Sequence, residues 1–177
     1  LSAATTANSN TVVGKSAGTA ITTGSDNVAM GSVSLTTNTT GSSNTAIGRS
    51  ALRYNTTASN NTAVGMLALT ANTTGTRNVA MGAYSLDLNT TANDNTGVGY
   101  DSLSANTTGA NNTAVGKDAM IANTEGTVNT AVGVDSLTAN TTGASNTAVG
   151  QAALEANTTA SFNTGIGRNA LGANTTG

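Results

Sequence analysis

The chain has 177 residues, a net charge of −2, only 8% charged residues and no Pro, Cys, His or Trp. That leaves no disulfide, no thiolate or imidazole metal site and, with six Lys and Arg spread thinly, no basic surface for nucleic acid. No run of about 18 apolar residues occurs, so no segment reads as a membrane span, and no targeting leader is visible at Leu1.

The first full copy of a repeated phrase begins at Asn10. Asn recurs every 17 residues, at 27, 44, 61, 78, 95, 112, 129, 146 and 163, and a Gly follows each one four residues later, from Gly14 to Gly167. A fixed period of this kind marks a repeat architecture. With the Asn in column 1 and the Gly in column 5, Leu1 falls in column 9 and Gly177 in column 15. The array starts and stops in mid-repeat without a capping change of character, so residues 1–177 read as a single array excerpted from a longer fibrous protein. Asn, Thr, Gly, Ser and Ala dominate, a composition shared with disordered tracts. Disordered tracts do not hold columns, whereas column 4 is always Val, Met or Ile, and column 9 is Leu or Met in every copy but Gly18.

Seventeen residues are too few for a helix pair, and Val, Ile and Thr favour strands over helices. The expected fold is therefore all-β, a parallel β-solenoid with one 17-residue repeat per coil and about ten coils. Within a coil, columns 2–4 (Thr113-Ala114-Val115) predict a strand and Gly116 a bend. Columns 8–11 (Ser136-Leu137-Thr138-Ala139) predict a second strand, and columns 12–15 (Asn140-Thr141-Thr142-Gly143) a second bend.

Strand alternation puts columns 2 and 4 on one face and column 3 on the other. The large apolar columns 4 and 9 are expected inside, which makes Val64, Leu69, Val115, Val132, Leu137, Val149 and Leu154 the predicted core. Columns 3 and 8 hold only small residues apart from Val12, and are expected outside, as bare skin or as a seam against another chain. A thin core and a continuous small seam predict a homo-oligomer, a trimer for preference. The column 1 Asn residues (Asn44, Asn61, Asn112, Asn129, Asn146) and the column 12 Asn residues predict amide ladders along the axis. The column 5 Gly residues (Gly48, Gly65, Gly116, Gly133, Gly150) belong to the same structural frame. One coil departs from the pattern: Gly18 replaces the column 9 Leu and Ile21 the column 12 Asn, so Ile21 is expected to swing in and fill the hole, with irregular packing nearby.

The phrase N-T-A-V-G-x-x-A-L, carried by Asn10–Gly14 and each later copy through Asn163–Gly167, resembles the head repeats of trimeric autotransporter adhesins, the YadA-like family. With its NTTG bend it is also similar to arrays in phage tail fibres and bacterial surface proteins. The resemblance implies a left-handed parallel β-roll, assembly as a homotrimer, and adhesion or spacing at a cell surface or on a virion. The coil here is longer than the family's usual one.

Candidate chemistry is sparse. Asp101, Asp118 and Asp135 occupy column 7 in three consecutive coils and could offer oxygen ligands to a hard cation such as calcium, or simply form a solvated edge relieved by Lys117. The glycine-aspartate signature of calcium-binding β-rolls is missing. Asn-Thr-Thr in column 12 matches the N-glycosylation pattern, for example at Asn72, Asn106 and Asn140, and turn chemistry explains it equally well. No base is available to activate a Ser or Thr, so no catalytic constellation and no cofactor are expected.

Three functions remain open. One is a structural segment of an extracellular fibre. Another is a glycan or receptor binder working through variable columns 6, 7, 10, 16 and 17 and the scarce charges and aromatics, among them Arg49, Tyr54, Arg77, Tyr84, Tyr100 and Phe162. The third is an ice-binding solenoid, motivated by Thr in columns 2, 13 and 14, although the adjacent columns 13 and 14 cannot both point outward from one flat strand.

Overall fold

The computed structural model describes residues 3–176. It contains ten three-residue strands: β1 (Thr11–Val13), β2 (Val28–Met30), β3 (Thr45–Ile47), β4 (Thr62–Val64), β5 (Val79–Met81), β6 (Thr96–Val98), β7 (Thr113–Val115), β8 (Thr130–Val132), β9 (Thr147–Val149) and β10 (Thr164–Ile166). They lie in one parallel sheet in sequential order, each column paired with itself in the next coil. The chain is thus a β-solenoid with a 17-residue coil. The constant period is what keeps the stack in register, because a one-residue slip would turn every strand over.

The faces of the strand are the reverse of those expected. Column 3 is fully buried at Ala29, Ala46, Ala63, Ala80, Ala114, Ala131 and Ala148, while column 4 points outward. Val115, Val132 and Val149 are each 36% exposed and Val64 is half-buried, so these four are not core residues. Leu69, Leu137 and Leu154 are fully buried as expected. Columns 3 and 8 are small because they face each other across a narrow interior. A Cβ added to Gly97 would lie 2.6 Å from Ser85 Oγ, and Ser85 Oγ donates a hydrogen bond to the Gly97 carbonyl at 3.0 Å. Alanine methyls fill this gap in other coils, as at Ala114 and Ala131, and the one valine of column 3, Val12, packs where Gly18 leaves extra room, so neither column is a seam between chains.

Among the described residues, no second strand forms at columns 8–11. The segment is instead a run of hydrogen-bonded turns, with left-handed residues at columns 7 and 9, as at Asp101 (φ 52°) and Leu103 (φ 54°). Bonds from the Ser104 amide to the Asp101 carbonyl and from the Asn106 amide to the Leu103 carbonyl close two of these turns. The consequence for packing is specific. Columns 8 and 9 are consecutive, yet Ala51 and Leu52 are both fully buried, which the alternation of a pleated strand forbids. Turning the backbone left-handed at the leucine lets both side chains enter the core. That conformation is disfavoured for a branched side chain, and burial of the leucine holds it there. Leu103→Ala is expected to cost about 2–5 kcal/mol, near the low end because the surrounding core is thin. Urea denaturation measures this; a cost below about 0.5 kcal/mol would be a surface-like value and would contradict the packing.

Two Asn ladders share the interior with the leucines. The Asn129 amide and its Nδ2 donate to Oδ1 of Asn112 at 3.0 and 3.2 Å. The second Nδ2 hydrogen goes to the Gly143 carbonyl at 2.8 Å. That carbonyl also accepts from Nδ2 of Asn140, which in turn donates to Oδ1 of Asn123. The column 15 carbonyl therefore ties the two ladders together in every coil from Asn27 to Ala160. Asn44, Asn61 and Asn146 are bonded in the same way. A buried amide is tolerable only when its donors and acceptors are met, and here both hydrogens of Nδ2 and the Oδ1 acceptor are used. Column 13 is an outer rung of the same kind, with the Thr hydroxyls from Thr5 to Thr141 each donating to the Thr carbonyl of the next coil, as in Thr39 to Thr56 at 3.1 Å.

The column 5 glycines are required by both conformation and space. Gly116 has φ +142°, and a Cβ there would come within 2.4 Å of the Gly133 carbonyl oxygen. The departing first coil is repaired by its own residues. A Cβ on Gly18 would meet Ile21 Cδ1 at 3.0 Å and Val12 Cγ2 at 3.1 Å, so the two exceptional apolar side chains fill the space of the missing leucine, as expected for Ile21. The backbone stays regular there: the Gly18 amide bonds to the Ser34 carbonyl at 3.0 Å, as Leu35 does to Ala51.

Candidate functional site

The described residues form no cleft that would enclose a small molecule, and no helix among them is long and apolar enough to cross a membrane. Chemistry must therefore be sought on the outer surface of the rod, where two regions stand out.

The first is a flank built from columns 6, 7 and 10 in the coils that contain β5 to β8. Asp101, Asp118 and Asp135 do stack on this flank, and each has a left-handed backbone, with φ of 52°, 56° and 58°. Asp tolerates that region better than most residues, which gives their presence in column 7 a conformational cause. No group of three acidic side chains among the described residues is placed to share a cation. Asp118 is instead paired with Lys117. Partial burial first, and the Asp118 carboxylate second, raise the Asp101 carboxyl above its ordinary range. Tyr100 lies beside Asp101, whose charge pushes the phenol upward, and its ring meets that of Tyr84 edge to face at 5.9 Å.

Asp87 completes this flank. Partial burial, followed by the Asp101 carboxylate, pushes its carboxyl up to about 6 from an ordinary value of 3.8. The protonated form is thus favoured by the fold, so the contribution to stability is full below the ordinary value and is lost as pH rises through about 6. Between pH 4 and 7 the chain is expected to lose stability through Asp87, by no more than about 1 kcal/mol once solvent screening at a half-exposed site is allowed for. Asp87→Asn should flatten that part of the profile, which urea midpoints at pH 4.5 and 7 would reveal.

The other residues singled out above are dispersed. Arg53 stacks over Tyr54 at 5.0 Å in a coil two before that of Tyr84. Arg77 forms an exposed two-pronged bridge to Asp94, at 2.6 and 2.8 Å. Phe162 is 83% exposed, with no aromatic partner among the described residues. Arg49 is exposed and lies in no ion pair among them. The column 12 Asn residues that match the glycosylation pattern are fully buried at Asn72, Asn106 and Asn140, with Nδ2 committed to the ladder, so the folded chain does not present them for modification.

The second region is the outer face of the ten-stranded sheet, which the reversed alternation creates. Columns 2 and 4 supply it, and neither contains a charged residue in any of the ten coils. All fourteen Asp, Glu, Lys and Arg residues lie in other columns. The sequence signal for this face was available: column 4 accepts Val, Met and Ile, a range of shapes that a close-packed interior resists.

Comparison of the chain with protein-family models, with curated proteins and with solved structures returns no match.

Proposed function

We propose that the chain is a rigid structural segment of an extracellular fibre, an adhesin head or stalk or a tail-fibre shaft, acting as a spacer and as an adhesion surface rather than as a catalyst. The observation that carries this reading is the uninterrupted stack. Every coil repeats the same register, and the nine bonds that lead into consecutive strands, such as Thr113 amide to Asn129 carbonyl, all measure 2.8 Å. A uniform stack of this kind makes a rod of about 48 Å for ten coils at about 4.8 Å each. The resemblance to YadA-like head repeats supports an extracellular setting.

Self-association as a homotrimer belongs to the same proposal, and its contacts would have to use outward columns, since columns 3 and 8 line the core. Small-angle scattering with light scattering is the test. An elongated particle with the mass of a multimer supports the whole reading, an elongated monomer removes the trimer alone, and a compact particle removes the rod.

A second reading, a glycan or receptor surface, is favoured by the Tyr84–Tyr100 pair set beside Asp87 and Asp101, because an exposed ring edged by carboxylates suits a sugar. Glycan-array binding that disappears in Tyr100→Ala would support it, and an array without signal would remove it.

A further inference from the structure

We propose that the outer face of the sheet, columns 2 and 4, is a binding surface for ice. This inference does not rest on the fibre reading. The strand burial pattern is the same in most coils, with column 2 half-buried, column 3 buried and column 4 exposed. Side chains on the face therefore form a grid of two columns by ten coils. Its spacings are about 4.8 Å from coil to coil and about 6.6 Å from column 2 to column 4. The first is close to the shorter oxygen repeat on a prism face of hexagonal ice, and it is the one that spaces the column 2 hydroxyls, since column 4 carries none.

Three features favour ordered water over a protein as the occupant. The first is the state of the hydroxyls. Column 13 Thr residues spend theirs on the next coil's carbonyl, as Thr107 does on Thr124 at 3.1 Å. The column 2 Thr residues donate to no protein acceptor among the described residues, although Thr occupies eight of the ten coils. Their hydroxyls are left to water at a fixed spacing. The second is the row of methyl groups beside them. Column 4 is apolar in all ten coils and lies outside the core cluster, with Val13 56% exposed and Val115, Val132 and Val149 each 36%. Methyl groups flanking evenly spaced hydroxyls leave water few alternative arrangements, and the absence of charge avoids the strong local hydration that disrupts a lattice. The third is area. A face of about 48 Å by about 10 Å presents roughly 480 Å², well short of the roughly 800 Å² per partner of a standard stable interface. A second copy would be held weakly by it, whereas a lattice needs only registry.

The regularity is greatest in β6 to β9, where Thr113, Thr130 and Thr147 alternate with Val115, Val132 and Val149. It is interrupted in β2 and β5, which read Val-Ala-Met.

The test uses the whole 177-residue chain. Thermal hysteresis and inhibition of ice recrystallisation are measured for the natural chain and for a Val115→Lys/Val132→Lys variant. A Thr108→Lys/Thr142→Lys variant, altered at exposed positions in column 14, serves as control. Circular dichroism confirms that each is folded, and light scattering gives each mass. The expected result is faceted crystal growth and measurable hysteresis in the natural chain and the control, and loss of both in the Val115/Val132 variant. A folded natural chain without hysteresis or recrystallisation inhibition overturns the proposal. So does equal activity in the Val115/Val132 variant. A variant that converts a multimer into a monomer also overturns it, because the face would then be a contact between copies.

Discussion

Ala131→Lys should prevent the chain from closing its stack. Ala131 is fully buried, in register with Ala114 and Ala148, and faces the column 8 wall across a gap that fits a methyl. A lysine there has neither room nor a partner, and an unpaired charge in such a place falls among the mechanisms that cost more than about 4 kcal/mol. Because each coil bonds only to its neighbours, a break at this coil separates the rod into two shorter stacks. Gln151→Lys, at an exposed column 6 position, should stay within about 0.5 kcal/mol of the parent. Thermal melts of the two variants make the comparison. The result also separates a core role from a seam role for column 3: a folded, monomeric A131K chain would mean that the column is an outer surface after all.

Asn112→Ala should be a costly truncation of a polar side chain. Oδ1 of Asn112 is the acceptor for both the Asn129 amide and the Asn129 Nδ2, and both lie in the dry interior. Two buried donors left bare at roughly 1–3 kcal/mol each predict a loss of about 2–5 kcal/mol. The Gly126 carbonyl loses the Asn112 donor at 2.8 Å but keeps Asn123 at 3.1 Å, so the damage concentrates on the Asn129 side. Amide hydrogen exchange gives a local readout: protection at Asn129 should fall, while Asn95, which receives the intact Asn112 amide, should change less. Equal protection before and after the change would show that the ladder is not a supporting element. Thr142→Ala, exposed in column 14, is the matching control and should change stability little.

The candidate surfaces were legible in the sequence to different degrees. Tyr84, Tyr100 and Asp101 could be picked out as departures from a repetitive background, but their approach to one another depends on how successive coils stack. Asp87, the most perturbed carboxyl, carries no sequence signal, since its shift comes from burial and from the neighbouring Asp101 one coil later. Patterning alone sends the column 4 residues of the sheet face to the interior, because large apolar residues ordinarily go inside. That reasoning fails in a coil this narrow, where the space is already occupied by Leu69 or Leu137 and two columns of Asn, and where alanine methyls fill the gap opposite column 8.

By itself, the sequence determined the coil length, the parallel stacking and the two amide ladders, because all three follow from identity at a fixed interval. A residue repeated every 17 positions must meet its own copy in the next coil, and an Asn that meets an Asn can bond along the axis. Only the tertiary structure decided which side of each strand faces inward and what columns 8–11 become. Period-two alternation defines two faces without saying which is the core, and closing a 17-residue ring requires bends that alternation does not encode. The left-handed turns at Leu52 and Leu103 supply those bends, bringing consecutive side chains inward and leaving Thr113 and Val115 to face the solvent.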